Sequence, residues 1–457
     1  MTALLRGFGV LWFGQTVSVV GSALTGFVLG VWVYQSTGSA TQFAIISLSA
    51  VVPGIVLAPI AGVLADRRDR RGLMLIADAA AGAVTACVAV LLWTDQLTVW
   101  HIYLATAVTA ACNTVHLTAF YAMLPLLVPR EALGRANGLM QMTQAAQIAA
   151  PLLAGALVGT IGLRGVVLID LCTMVVGMTL LVAARLDRSA TAAPGAGKQV
   201  TLGEDLGHGW RLLRARPGLF QLAVLFGGFN LLFAMAGVLV QPLILSFGSA
   251  ATLGVLMFAG GTGLFAGGLV MSAWGGPKRR VSGILGFLAF GGVVLALHGL
   301  RPSAWLIAVV APLFLFILPI VSGSTLTLVQ VKTPAESLGR VVATTRMIGQ
   351  AATPFAYLVA GPLADRVAEP AMAPDGALAG SVGVLIGTGP GRGIALIFWV
   401  IGAGMLLLTL VAVTRPRLRR LETELPDAAG SSDAADEPSE PARQPEKERP
   451  RSASQPA

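Results

Sequence analysis

The chain has 457 residues, 55% of them hydrophobic and only 12% charged, with a mean hydropathy of +0.78. A soluble domain carries about a quarter charged residues, so this composition excludes one and indicates a polytopic helical membrane protein. The net charge of +9 sits in short loops between apolar runs, where arginines set membrane orientation, and this excludes a nucleic-acid partner.

A crossing needs about 20 apolar residues. On that ruler the first six spans fall near 10–34, 41–64, 73–93, 99–127, 137–161 and 165–185. The first is too long for a signal-peptide core and lacks a small-residue cleavage site, so it stays as a span. It carries the polar residues Gln15, Ser18 and Ser22. A charge cluster, Gly62-Val63-Leu64-Ala65-Asp66-Arg67-Arg68-Asp69-Arg70-Arg71, joins spans two and three. Asp78 lies about two turns into span three, and span four holds Asn113, His116, Phe120 and Tyr121. Span five holds Ala150-Pro151-Leu152-Leu153-Ala154-Gly155, and span six holds Asp170.

The connection 186–218 begins rich in Ala and Gly. It then turns amphipathic, with Leu202, Leu206, Trp210 and Leu213 on one face beside Arg211 and Arg214. It reads as a surface linker or as a helix lying on the inner leaflet. The second six spans fall near 219–245, 250–274, 281–299, 303–330, 341–364 and 393–413. Phe229, Asn230, Phe233 and Gln241 belong to span seven and Arg346 to span eleven. After Arg420 the chain is rich in Pro, Ala, Ser and Glu, the composition of a disordered tail.

The domains expected are an N-terminal six-helix bundle (1–185), a cytoplasmic linker (186–218), a C-terminal six-helix bundle (219–414) and a cytoplasmic tail (415–457). Lysines and arginines crowd alternate loops, from Arg67–Arg71 through Arg130 and Arg135 to Lys332 and Arg340. The other loops hold only Arg164, Arg301, Arg366 and Arg392. The crowded side is the cytoplasmic one, which puts both termini on the cytoplasmic side of a multi-pass protein of the inner (plasma) membrane.

An internal repeat supports two bundles. Pro129-Arg130-Glu131-Ala132-Leu133-Gly134-Arg135 matches Pro334-Ala335-Glu336-Ser337-Leu338-Gly339-Arg340 at an offset of 334 − 129 = 205. The same offset sets Gly62 on Gly267 and Asp66 on Met271, so the acid of this turn survives only in the first half. Two similar halves rocking about a midplane site are the structural basis of alternating access.

Together these features resemble the major facilitator superfamily. Within it the chain is similar to the drug:proton antiporters related to macrolide-efflux and enterobactin-exporter proteins. The resemblance rests on the loop beginning at Gly62, on the span-five stretch, and on the run from Leu124 to Leu139. It implies the major facilitator fold, an all-α membrane protein of twelve transmembrane helices in two pseudo-symmetric six-helix bundles. It also implies a gating loop of Gly62, Asp66, Arg67, Arg70 and Arg71. There Asp66 faces the start of the eleventh helix near Ser337 and latches the inner side. The loop departs from the family pattern at Asp69, where glycine is usual. Ala150, Pro151, Ala154 and Gly155 correspond to the antiporter helix seam, with alanine at two glycine positions.

Ionisable residues inside a membrane are functional candidates by default. Asp170 is either the proton-coupling carboxylate or a structural acid paired with a neighbouring helix or with Arg164. Asp78 either couples protons or pairs with Arg67 or Arg70. His116 either titrates or makes a helix contact, and Arg346 faces the cavity or an inner-gate carboxylate. In the family, spans one, four, seven and ten line the substrate site. Here they offer Gln15, Ser18, Ser22, Asn113, His116, Asn230 and Gln241, with Phe120, Tyr121, Phe229 and Phe233 as aromatic surface. Such a cavity suits bulky amphiphiles better than sugars or ions.

No nucleophile, base and acid converge, and no phosphate-cradling loop is present, so neither an enzyme nor an ATP-driven pump is expected. Cys87, Cys112 and Cys172 have no ligand spacing and read as packing residues; no metal and no cofactor are expected. The reading is a monomeric exporter of an antibiotic, siderophore or secondary metabolite, with protons as coupling ion and the bilayer as solvent. Alternatives are a proton-coupled importer or facilitator and, from another class, a membrane sensor or biosynthetic scaffold.

Overall fold

The computed structural model describes residues 2–128, 133–184, 210–333 and 335–424, and every regular element among them is helical. The N-terminal bundle consists of α1 (Thr2–Thr37), α2 (Ala40–Arg67), α3 (Arg70–Trp93), α4 (Val99–Leu127) and α5 (Leu133–Ala183). If straight, the 51 residues of α5 would run about 75 Å, more than twice the hydrocarbon thickness of about 30 Å. Instead two helices join across a kink at Gly162, whose φ of 69° costs glycine nothing. Spans five and six are the two limbs of α5.

The C-terminal bundle consists of α6 (Pro217–Leu245), α7 (Ala250–Trp274), α8 (Arg280–Leu297), α9 (Ala304–Val331), α10 (Ala335–Ala351), α11 (Thr353–Leu363) and α12 (Arg392–Val413). Span eleven is broken between α10 and α11, where Pro354 removes a helical N–H. Past α11 the chain makes a π-helical turn, Ala364–Ala368. Ten described helices are long and apolar enough to cross a membrane. With α5 supplying two crossings and α10–α11 one more, the expected twelve are accounted for.

Short polar residues set the helix starts. Ser39 accepts the Gln42 N–H at 3.2 Å and Asp69 accepts the Gly72 N–H at 2.7 Å, so the departure from glycine at Asp69 serves as the N-cap of α3. Large apolar side chains such as Ile76, Val90, Phe265, Leu358 and Leu410 face outwards, as lipid as solvent allows.

The buried core shows how the bundles meet. One cluster joins the C-terminal bundle to Leu24, Phe27 and Val31 of α1, Ala40 and Phe43 of α2, and Ala150 and Ala154 of α5. All of these N-terminal residues lie towards the arginine-poor end. At the arginine-rich end Phe8, Leu11, Met74, Met123, Leu127 and Leu181 form a cluster drawn from the N-terminal bundle alone. Among the described residues the halves therefore share a core towards the arginine-poor end, and the cluster at the other end belongs to one half.

Two peripheral segments differ from the sequence reading. Residues 210–215 are helical, and Leu213 is buried in the core shared with the C-terminal bundle rather than turned to lipid. The Trp210 ring meets Phe220 edge-on at 5.7 Å, and the Arg214 guanidinium lies 5.2 Å from its centroid. Leu202 and Leu206 lie outside the described residues. The stretch expected to be loose after Arg420 begins as structure. Two short helices, α13 (Pro416–Arg419) and α14 (Leu421–Glu424), bury Leu418 and Leu421. The Glu422 carboxylate accepts the Arg280 N–H at 2.8 Å, and its carbonyl accepts Lys332 Nζ at 3.0 Å. Residues 425–457 lie outside the described part.

Candidate functional site

A cavity of about 370 Å³ lies inside the N-terminal bundle, and its walls come from α1 to α5. Gln15, Ser18 and Ser22 enter it from α1, Asp78 from α3, Asn113 and His116 from α4, and Gln147 and Asp170 from the two limbs of α5. Helical spacing explains the α1 set: Gln15, Ser18 and Ser22 fall three and four residues apart, on one face. The remaining wall is mostly apolar, with Ala, Val, Leu and Met.

Two acidic centres sit in this cavity. His116 Nδ1 lies 2.7 Å from Asp78 Oδ1, with both side chains largely withdrawn from solvent. The ring nitrogen and the carboxylate oxygen approach closely without the geometry of a well-formed hydrogen bond. Asp78 thus pairs with His116 and not with Arg67 or Arg70. The reason is geometric: Arg70 Nε turns back to the Ala65 carbonyl at 3.2 Å, and Arg67 is exposed at the loop. Asp170 is only 2% exposed and accepts the Ser22 hydroxyl at 3.1 Å. Arg164, its alternative partner, binds Asp95 at 2.7 Å at the surface. Among the described residues no cation pairs with Asp170. Gly21 makes the Ser22 contact possible, because a Cβ there would lie 3.1 Å from Asp170 Oδ1 and collide with the Thr173 hydroxyl.

The gating loop is only partly visible. Gly62 lies in the last turns of α2, and a Cβ there would meet nothing within 4 Å. Arg71 donates to the Val182 and Leu181 carbonyls at 2.6 and 3.2 Å, capping the end of α5. The Asp66 side chain lies outside the described part, as do the side chains of Ala335 and Glu336 that open α10, so the expected contact near Ser337 is not tested. The seam is clear. Ala150 and Ala154 are fully buried, and Gly155 and Pro151 press against α7. A Cβ on Gly155 would sit 2.7 Å from the Ala250 carbonyl oxygen. This small-residue face joins the two bundles at the end where they share a core.

The C-terminal candidates lie away from the cavity. Asn230 donates to the Phe226 carbonyl of its own helix at 2.7 Å, Gln241 is half-buried, and Arg346 is exposed on α10. Phe229 and Phe233 build an aromatic stack with Phe314, with ring centroids 6.0 and 5.9 Å apart, inside the C-terminal core. Phe120 is buried beside His116 at 6.5 Å and Tyr121 is exposed, so neither forms cavity surface. Sequence reading missed Gln147, Thr85, Thr106 and Thr109 as wall residues. Gln147 had a signal, a polar residue one turn before the small-residue seam. Cys112 also lines the cavity, whereas Cys87 and Cys172 are exposed.

The sequence model of the Major Facilitator Superfamily matches residues 11–357. The chain belongs to that superfamily. It is 27% identical over 372 residues to macrolide efflux protein A of Streptococcus pyogenes, covering 79% of this chain and 90% of that protein. It is 28% identical over 347 residues to an enterobactin exporter of Citrobacter koseri, covering 73% and 79%. In fold it is similar to a bacterial homologue of the iron transporter ferroportin solved in an inward-facing state. That match has a TM-score of 0.63 and 17% identity, and covers 89% of this chain and 98% of that one. As a member of the superfamily this chain is a multi-pass membrane transporter, with efflux proteins among its relatives.

Proposed function

We propose that this transporter is a secondary active exporter of amphiphilic small molecules, driven by protons moving inwards through alternating access. The arginine-rich end faces the cytoplasm, so the structure corresponds to a state closed to the outside. The observation that carries the reading is Asp170, a carboxylate at membrane depth with a hydroxyl donor and, among the described residues, no cation beside it. A group so placed is costly unless it has a task, and taking up and releasing a proton as access alternates is such a task. Asp78 and His116 on the facing wall supply a second proton-handling pair. The names of the efflux relatives support the outward direction, and the apolar remainder of the cavity supports an amphiphilic cargo such as an antibiotic or siderophore.

The test uses inside-out membrane vesicles and a radiolabelled macrolide. Energised vesicles containing the protein should accumulate the label, and a protonophore should discharge it. Accumulation indifferent to the protonophore, or uptake seen only in right-side-out vesicles, would refute proton-driven export.

A further inference from the structure

The hexapeptide that ends α2, Gly62-Val63-Leu64-Ala65-Asp66-Arg67, recurs as Gly361-Pro362-Leu363-Ala364-Asp365-Arg366, identical at five of six positions. This second copy does not follow the 205-residue repeat that relates the two bundles. It ends α11, which runs antiparallel to α2 and packs along its first half. One copy therefore closes α2 at the arginine-rich end and the other closes α11 at the arginine-poor end.

The second copy is fully visible and it bridges the halves. Asp365 Oδ2 accepts the Ser39 hydroxyl at 2.6 Å and the Thr41 N–H at 2.8 Å, and Oδ1 accepts the Ala40 N–H at 2.9 Å. Three donors at the start of α2 thus converge on one carboxylate of the opposite bundle, in the field of the helix N-terminus. Gly361 permits the approach, since a Cβ there would lie 2.5 Å from Thr41 Cα. One turn beyond, Glu369 accepts the Ile394 and Gly391 N–H groups at 3.0 and 3.2 Å, which fixes the same segment to the start of α12 in its own bundle. The π-helical turn between them carries Asp365.

We propose that Asp365 is the latch of the arginine-poor end, the counterpart of the role expected of Asp66 at the other end, so that α2 and span eleven (α10–α11) are held at one end or the other by carboxylates of the same hexapeptide. The inference rests on the alternating-access reading. Closure of the arginine-poor end makes the Asp365 contacts, and opening there breaks them.

The experiment measures the gap directly. Cys87, Cys112 and Cys172 are replaced by serine, spin labels are attached through Gln35→Cys and Arg301→Cys, both exposed at the arginine-poor end of opposite halves, and distances are read by pulsed electron resonance in nanodiscs. Asp365→Ala should raise the ratio of long to short distances at least about tenfold, given the loss of a charged cap holding three donors. Asp365→Asn, which keeps the shape and one acceptor, should give an intermediate shift, and Asp66→Ala should move the ratio the opposite way. Size-exclusion chromatography identifies folded protein; if Asp365→Ala does not fold, Asp365→Asn and Ser39→Ala carry the test. Distances unchanged in the folded Asp365 variants while Asp66→Ala shifts them would overturn the latch alone. Distances unchanged in every variant would overturn the latch together with alternating access.

Discussion

Gly155→Ala is the sharpest test of how the two bundles close on each other. The added Cβ would stand 2.7 Å from the Ala250 carbonyl oxygen and 3.2 Å from Ala251 Cα. Carbon and oxygen settle at about 3.3 Å, so α5 and α7 must separate by roughly 0.6 Å at this point. The obstacle is backbone, which cannot rotate away as a side chain would. Overpacking of this kind costs about 1–3 kcal/mol. All of it falls on the conformation in which the seam is shut, so the ratio of open to closed states should rise about 5- to 150-fold. The same helix supplies its control. Gly159, one turn on, has nothing within 4 Å of a Cβ, and Gly159→Ala should leave the ratio unchanged. The assay is labelling by a membrane-impermeant maleimide of a single cysteine at Thr25, a buried cavity residue below the shared core, in right-side-out vesicles. Faster labelling in Gly155→Ala than in Gly159→Ala is the expected result. Equal rates in two folded variants would refute the idea that the small-residue seam governs closure.

Three further expectations follow from described contacts. Asp170→Asn should abolish accumulation driven by an imposed pH gradient in proteoliposomes while leaving downhill exchange of cargo; retained uphill accumulation would remove Asp170 from proton coupling. Burial pushes the Glu369 carboxyl above its ordinary 4.5, against the lowering effect of the Ile394 and Gly391 N–H groups. A raised value means the folded state holds the proton more tightly than the unfolded chain. The ionised form therefore costs stability, increasingly so as pH rises through the ordinary range to the raised value. The Tm of Glu369→Gln minus that of the unsubstituted protein should become more positive from pH 4 to pH 8, and a flat difference by scanning calorimetry would contradict it. Leu421→Ala should destabilise by about 2–4 kcal/mol, because Leu421 is fully buried under the C-terminal bundle; an unchanged melting temperature would mean that α14 contributes nothing.

The parts of the fold that depend on hydropathy and loop charge were legible in the sequence. Twelve crossings could be counted because lipid demands long apolar runs, and the helix starts at Ser39, Ser249 and Ser303 lie within a few residues of the boundaries read from composition. The break in span eleven was missed because its first half, α10, still reads as a weakly apolar stretch. At the site, Gln15, Ser18, Ser22, Asp78, Asn113, His116 and Asp170 were all picked out, and the structure brings all seven to one cavity. Their partners were not legible. Asp78 is 38 residues from His116 in sequence, and only helix rotation decides that it meets the imidazole instead of the nearby loop arginines. Asn230, Gln241, Phe229 and Phe233, which the family expectation offered from the other half, do not line this cavity, and Asn230, Phe229 and Phe233 make their contacts within their own bundle. Periodicity cannot tell a helix face that meets a cavity from one that meets a core.

Among the described residues, the polar chamber is walled by one lobe. In the alternating-access cycle proposed above it would travel as a finished cup when that lobe tilts, and a molecule held there would keep the same neighbours at both faces of the membrane. Geometry then gives little reason for the cargo to bind more tightly on one side than the other. On the proton-antiport reading proposed above, the difference that makes pumping uphill possible would then have to come from the coupling carboxylate rather than from the cargo's neighbours.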